Sequence, residues 1–117
     1  MSRTATAAVA AILLSGPAPG DAQQDQIRAK LLAKPTWTFE MARRGGDVHT
    51  GKAWFVEKDG KLIGYVEVGF KCDSDVTLRA DGFDMETCAS PAKRFVESND
   101  EFKATFGSYT YTIRPAP

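Results

Sequence analysis

Read outward from Gly107-Ser108, the chain sets apolar against apolar and polar against polar on two alternating faces. With Gly at its first central position the dipeptide fits a type II′ turn. That turn places Phe106 opposite Tyr109, Ala104 opposite Tyr111 and Phe102 opposite Ile113. The other face sets Thr105 against Thr110, Lys103 against Thr112 and Glu101 against Arg114. A period of two with complementary partners on both faces specifies an antiparallel hairpin. A lone hairpin is marginal in water, so the rest of the chain must supply more sheet.

It does so by the same punctuation. Trp37, Phe39 and Met41 alternate with Thr36, Thr38 and Glu40, and the Gly-rich stretch Arg43–Asp47 then breaks the pattern. Lys52–Glu57 and Leu62–Lys71 read as strands around Asp59-Gly60. A two-residue turn there faces Trp54 with Tyr65 and Val56 with Ile63. A three-residue loop, Lys58-Asp59-Gly60, instead pairs Glu57 with Lys61 and shifts every partner by one; the sequence leaves both registers open. Cys72–Asp75 is expected as a turn. Asp81-Gly82 predicts a further hairpin, pairing Ala80 with Phe83, Leu78 with Met85 and Val76 with Thr87, and Arg79 with Asp84 on the other face. Phe95-Val96 marks a short strand and Ser98-Asn99-Asp100 a turn. Upstream, Asp25 caps a short helix over Gln26–Lys34 that ends at Pro35, with Ile27 and Leu31 on one face.

The expected fold is therefore all-β with a short N-terminal helix: about eight antiparallel strands in an up-and-down barrel or half-barrel, the helix over one end. A β-sandwich is the alternative. Hydrophobic residues at 43% and charged residues at 26% suit a chain with a packed core. The order of elements, with Trp37 on the first strand, resembles the calycins, the lipocalin-like and avidin-like barrels. Pro35 stands where their pattern has Gly. Periplasmic lysozyme inhibitors are also small exported barrels, but their Ser-Gly loop motif has no counterpart here.

The first 22 residues read as a secretory signal. Arg3 supplies the positive charge and Ala5–Leu14 a short apolar run. Gly16-Pro17-Ala18-Pro19 breaks it, and Gly20 and Ala22 suit cleavage before Gln23. The run is shorter than the roughly 20 apolar residues of a bilayer span. The expected division is a signal peptide over 1–22, a helix over 23–34 and a β domain over 35–117, secreted or periplasmic. In an oxidising compartment Cys72 and Cys88, the only cysteines, are expected to pair.

Known catalytic patterns are missing. The single histidine, His49, has no nucleophile in a recognisable setting, no Gly-x-Ser-x-Gly elbow is present, and Asp73-Ser74-Asp75 lacks the remainder of a calcium loop. No metal ligand set and no cofactor motif is found. Lys plus Arg equals Asp plus Glu at 15 each, which gives no electrostatic case for nucleic acid or an anionic membrane as partner. What stands out is aromatic surface around Trp54 and Tyr65, with Arg43, Arg44 and His49 in the preceding loop, as a candidate binding site. The sequence reading is a non-enzymatic binding protein for a small apolar molecule or an envelope protein. A secreted enzyme inhibitor is the alternative, and a minimal hydrolase with an unrecognised acid pair a third.

Overall fold

A computed structural model describes residues 19–88 and 91–117. It contains one helix, α1 (Pro19–Leu32), and nine strands: β1 (Trp37–Arg43), β2 (Val48–Lys58), β3 (Lys61–Glu67), β4 (Lys71–Asp75), β5 (Thr77–Arg79), β6 (Gly82–Met85), β7 (Lys93–Ser98), β8 (Glu101–Phe106) and β9 (Tyr109–Pro115). The strands form a single antiparallel sheet in the order β4-β3-β2-β1-β9-β8-β7-β6-β5, curled into a nearly closed barrel.

The hairpins follow their turn chemistry. The β8–β9 register is the one expected around Gly107-Ser108, with Phe102 opposite Ile113 and Thr105 opposite Thr110. Asp59 and Gly60 take φ of 54° and 78°. Two left-handed positions in a row make a type I′ turn, which settles β2–β3 in the two-residue register with Trp54 opposite Tyr65. Asn99 and Asp100, with φ of 53° and 66°, turn β7 into β8 in the same way.

Four expectations are corrected. The run Leu62–Lys71 is not one strand: it ends at Glu67 and reverses over Val68–Phe70, where Gly69 has φ 85°. Cys72–Asp75 is consequently a strand, not a turn. The β5–β6 hairpin turns on Ala80-Asp81, so Leu78 faces Phe83 and Arg79 faces Gly82. Gly82 lacks a side chain for a different reason than turn geometry. A Cβ there would lie 1.8 Å from the Phe95 carbonyl oxygen, so only glycine lets β6 approach β7 this closely. Arg79 still reaches Asp84, at 2.6 Å, from the neighbouring register position. The helix, finally, begins at Pro19 and ends at Leu32 rather than spanning Gln26–Lys34. Pro at a helix start is tolerated because its missing N–H has no partner there anyway. The apolar run Ala5–Leu14 lies outside the described residues.

The barrel closes through a bent strand. β4 and β5 are one extended segment broken at Val76, whose N–H donates to the Leu62 carbonyl at 2.9 Å. Above the bend the segment pairs with β3, and below it with β6. Among the described residues no ladder forms between β4 and Glu86–Cys88. Ser74 Oγ accepts the Glu86 N–H at 3.1 Å, and the Cys72–Cys88 disulfide ties the two edges together.

The interior is filled. Phe83 stacks on Phe95 with ring centres 5.1 Å apart and meets Phe55 and Phe102 edge-on at 5.6 and 5.2 Å. Trp37, Phe39, Met85, Tyr111 and Ile113 complete the packing. On the β3 wall a Cβ at Gly64 would stand 2.2 Å from Met85 Sδ, so the opposing walls touch. The helix buries Ile27 and Leu31 in the same cluster and covers one end. Its terminal Leu31 carbonyl accepts the buried Trp37 indole N–H at 3.2 Å, which supplies a partner that helix geometry leaves lacking. Arg28–Glu57, Lys30–Glu97 and Lys30–Asp100 ion pairs pin the helix over the strand turns.

Candidate functional site

Strand parity fixes where each candidate side chain stands. On β2, Ala53 and Phe55 point into the barrel and are buried, so Trp54 between them points outward. Tyr65 does the same between Gly64 and Val66 on β3. Neither ring lies under α1. They stack on each other, centres 5.2 Å apart and planes within 4°, and both are half-buried on the outer wall. Val56 and Ile63 form the next cross-strand pair on this face, and Lys52 and Glu67 the one before. Lys52 Nζ sits 5.8 Å from the Trp54 ring centre and 3.6 Å from Glu67. Asp73 and Asp75 of β4 border the patch opposite Tyr65 and Ile63. The result is an apolar strip four side chains in extent, edged by acids on one side and a lysine at one end.

Arg43, Arg44 and His49 do not belong to this strip. β2 starts at Val48, so His49 is a strand residue paired with Met41, not a loop residue. It lies five positions from Trp54, roughly 17 Å along the strand, and on the opposite parity. Arg43 ends β1 and Arg44 opens the turn, with the Arg44 N–H donating to the Ser108 carbonyl at 2.8 Å. These three stand at the barrel rim, the end away from the helix, where a notch of about 200 Å³ separates the β1–β2 and β8–β9 turns.

The rim holds one group that sequence reasoning missed. Lys93 opens β7 on the inward parity and is 3% exposed. Its Nζ donates to the Pro91 carbonyl at 2.8 Å and lies 4.9 Å from the Phe106 ring centre and 5.7 Å from that of Tyr111. Burial pushes its pKa below the usual lysine value, and the nearby Glu86 carboxylate opposes that shift. Burial likewise raises Tyr111, partly offset by the adjacent Thr87 hydroxyl. Thr87 Oγ1 is itself buried without a partner of good hydrogen-bond geometry. In the sequence, Lys93 between Ala92 and Arg94 reads as one more surface cation; only the register of β6 with β7, pairing Met85 with Lys93, turns it inward.

At the opposite end a groove of about 530 Å³ lies between the helix and the strand ends, with Trp37, Ala29, Ala33 and Pro115 among its walls and Lys30, Lys34 and Asp100 at its edge. Its best-placed cation, Lys30, is already held by Glu97 and Asp100, which raise its pKa. Among the described residues no group of three His, Cys, Asp or Glu side chains is close enough to hold a metal ion. No described helix is long and apolar enough to cross a membrane. The chain matches no family model, and no curated protein and no solved structure matches it. The function therefore has to be argued from the surface itself.

Proposed function

We propose that this chain is an exported, non-enzymatic binding protein that recognises a partner protein through the outer-wall strip of Trp54, Tyr65, Val56 and Ile63. The observation that carries the reading is the stacked, half-exposed Trp54–Tyr65 pair on a wall whose inner side is already filled. A barrel that stored a small apolar molecule would need an interior space, and rings in mutual contact occupy the interior here. An aromatic pair that serves only the core would face inward. Trp and Tyr on a rigid sheet give large contact area at little entropic cost and are common anchors at protein interfaces. Export is supported by the signal-like N-terminus and by a disulfide that suits an oxidising compartment. Cleavage before Gln23 would remove no buried side chain of the described core, which starts at Ile27.

The test is affinity capture from the extracellular or envelope fraction of the source cell, with wild type and a Trp54→Ala variant of unchanged circular dichroism in parallel. The variant should lose the partner that wild type retains. Equal recovery by both would refute the assignment. A small molecule retained by wild type in native mass spectrometry, with no protein partner, would redirect it to the grooves.

A further inference from the structure

Resting on the outer-wall reading, and naming what that wall recognises, we propose that the partner protein docks with an arginine side chain laid between the Tyr65 ring and the Asp73 carboxylate. One cross-strand row carries the argument. Trp54, Tyr65 and Asp73 lie side by side on β2, β3 and β4 and share the outer face. The two rings are parallel and stacked, so Trp54 covers one face of Tyr65. The other face turns toward β4, where the side chain alongside is the short, exposed Asp73. Adjacent strands stand about 4.8 Å apart, and a planar group in contact with the ring takes up about 3.5–4 Å of that, so it comes to rest above the carboxylate. The outer face of β2–β4 has three carboxylates. Lys52 holds Glu67 at 3.6 Å and Lys61 holds Asp75 at 3.7 Å. Asp73 has no ion pair among the described residues.

The order of charges on the wall selects the rest of the partner's surface. Counted whole, the face is not acidic: Lys52, Lys58, Lys61 and Lys71 stand against the three carboxylates. The lysines belong to the outer rows, Lys52 and Lys71 on either side of Glu67 and Lys58 opposite Lys61. The two middle rows hold the four apolar side chains and the two aspartates. A polyanion or an anionic bilayer laid here would meet aspartates at its centre, and a polycation would meet lysines at both ends. The complementary surface carries an arginine and an aliphatic group at its middle and acids around them. Guanidinium fits the middle better than ammonium. It is planar and weakly hydrated, and it can stack on a ring face while its forked N–H groups donate to a carboxylate. An ammonium is compact and strongly hydrated and makes only a point contact. The lysines of the adjoining rows do not occupy the place themselves, since Lys61 turns to Asp75 and Lys71 lies opposite Glu67.

The probes are synthetic peptides, acetyl-Glu-Thr-Xaa-Thr-Val-Thr-Glu-amide, with arginine, lysine or citrulline at Xaa. Alternate residues of an extended peptide repeat at the spacing of the rows, so Xaa and Val meet the middle rows and the two Glu the outer ones. Citrulline keeps the planar shape of arginine and removes its charge. Titration into the 15N-labelled protein is followed by its two indole N–H signals. That of Trp54 should shift, while that of Trp37, buried and bonded to the Leu31 carbonyl, should stay. The arginine peptide should bind about tenfold more tightly than the citrulline peptide, with the lysine peptide between them and the difference shrinking as salt is added. Asp73→Asn, at an exposed position, should remove most of that difference and leave the citrulline peptide as it was. Arginine binding no better than lysine or citrulline overturns the proposal. So does a difference that survives Asp73→Asn, or a Trp54 signal that no peptide moves at millimolar concentration. A Trp54 signal that moves with protein concentration alone would give the wall to a second copy of the chain and equally overturn it. A captured partner that Trp54→Ala loses and Asp73→Asn keeps would leave the outer-wall reading standing and overturn only the arginine.

Discussion

Replacing Cys72 and Cys88 together by serine should remove about 3 kcal/mol of stability. The bridge closes a loop with a sequence separation of 16 residues. Chain entropy for a loop of that length comes to about 3 kcal/mol. Two local features modify the figure. The bridge spans a stretch of wall with no ladder among the described residues, where the Ser74–Glu86 hydrogen bond also joins the edges, so the edges are weakly held once it is gone. Against this, Cys88 adopts φ 74°, a conformation costing a non-glycine residue about 1 kcal/mol, which release would return. The expected net loss is about 2–3 kcal/mol, or a fall in Tm of roughly 10–20 °C for a domain of this size. Equilibrium urea unfolding of oxidised wild type and of the double variant measures it directly. Hydrogen exchange should then speed up in β4 and in β6 while the β1–β9 ladder stays protected. A loss under about 1 kcal/mol, or faster exchange spread evenly over the barrel, would mean that the edges are joined by something other than this bridge.

Two further predictions test the register and the buried cation. Tyr111→Ala should cost about 3–5 kcal/mol because the ring is 5% exposed, whereas Thr110→Ala on the outer face should stay under about 1 kcal/mol; equal losses on denaturant titration would contradict the inward and outward assignment. Lys93 is driven toward its neutral form by burial, so it costs stability while protonated and that cost fades as pH rises toward its ordinary value of 10.5. Lys93→Met should therefore gain on wild type at neutral pH, with the gap narrowing in alkaline unfolding titrations. A gap that is constant or grows with pH would refute the sign.

The parts of the fold legible in the sequence are those fixed by local chemistry. Gly107-Ser108 carries its own backbone preference and its register follows from it, whereas Asp59-Gly60 marks the place of a turn and leaves two registers open until the backbone is seen. Asp81-Gly82 misled because glycine served close packing against Phe95 rather than a left-handed turn, and that neighbour is remote in sequence. Cys72–Asp75 resembled a turn by composition. Its strand state comes from pairing with β3 and from the bridge to Cys88, neither of which leaves a local trace. Trp54 and Tyr65 were recognisable as a pair, but their outward direction depends on barrel curvature. His49 and Arg43 are adjacent to that pair only along the chain. Lys93 was invisible as a buried group, since its environment is assembled from β6, β8 and β9.

The arrangement of the strands has a kinetic consequence. Every ladder but one joins consecutive elements, so most of the barrel assembles from local hairpins at small loop-closure cost. The exception joins β1 to β9, Trp37 opposite Pro115, and brings together the first and last strands. In the reduced chain the two meanders, β1–β4 and β5–β9, thus form readily but remain joined through Val76 until that ladder closes. Weakening the β1–β9 contact, as by Phe39→Ala, should accordingly slow refolding, whereas loss of the disulfide should mainly speed unfolding; the reverse pattern in stopped-flow kinetics would place the barrier elsewhere. The molecule behaves as a bracelet with one hinge and one clasp, and the cysteines, set beside the hinge, lock a ring that the far joint has already drawn shut.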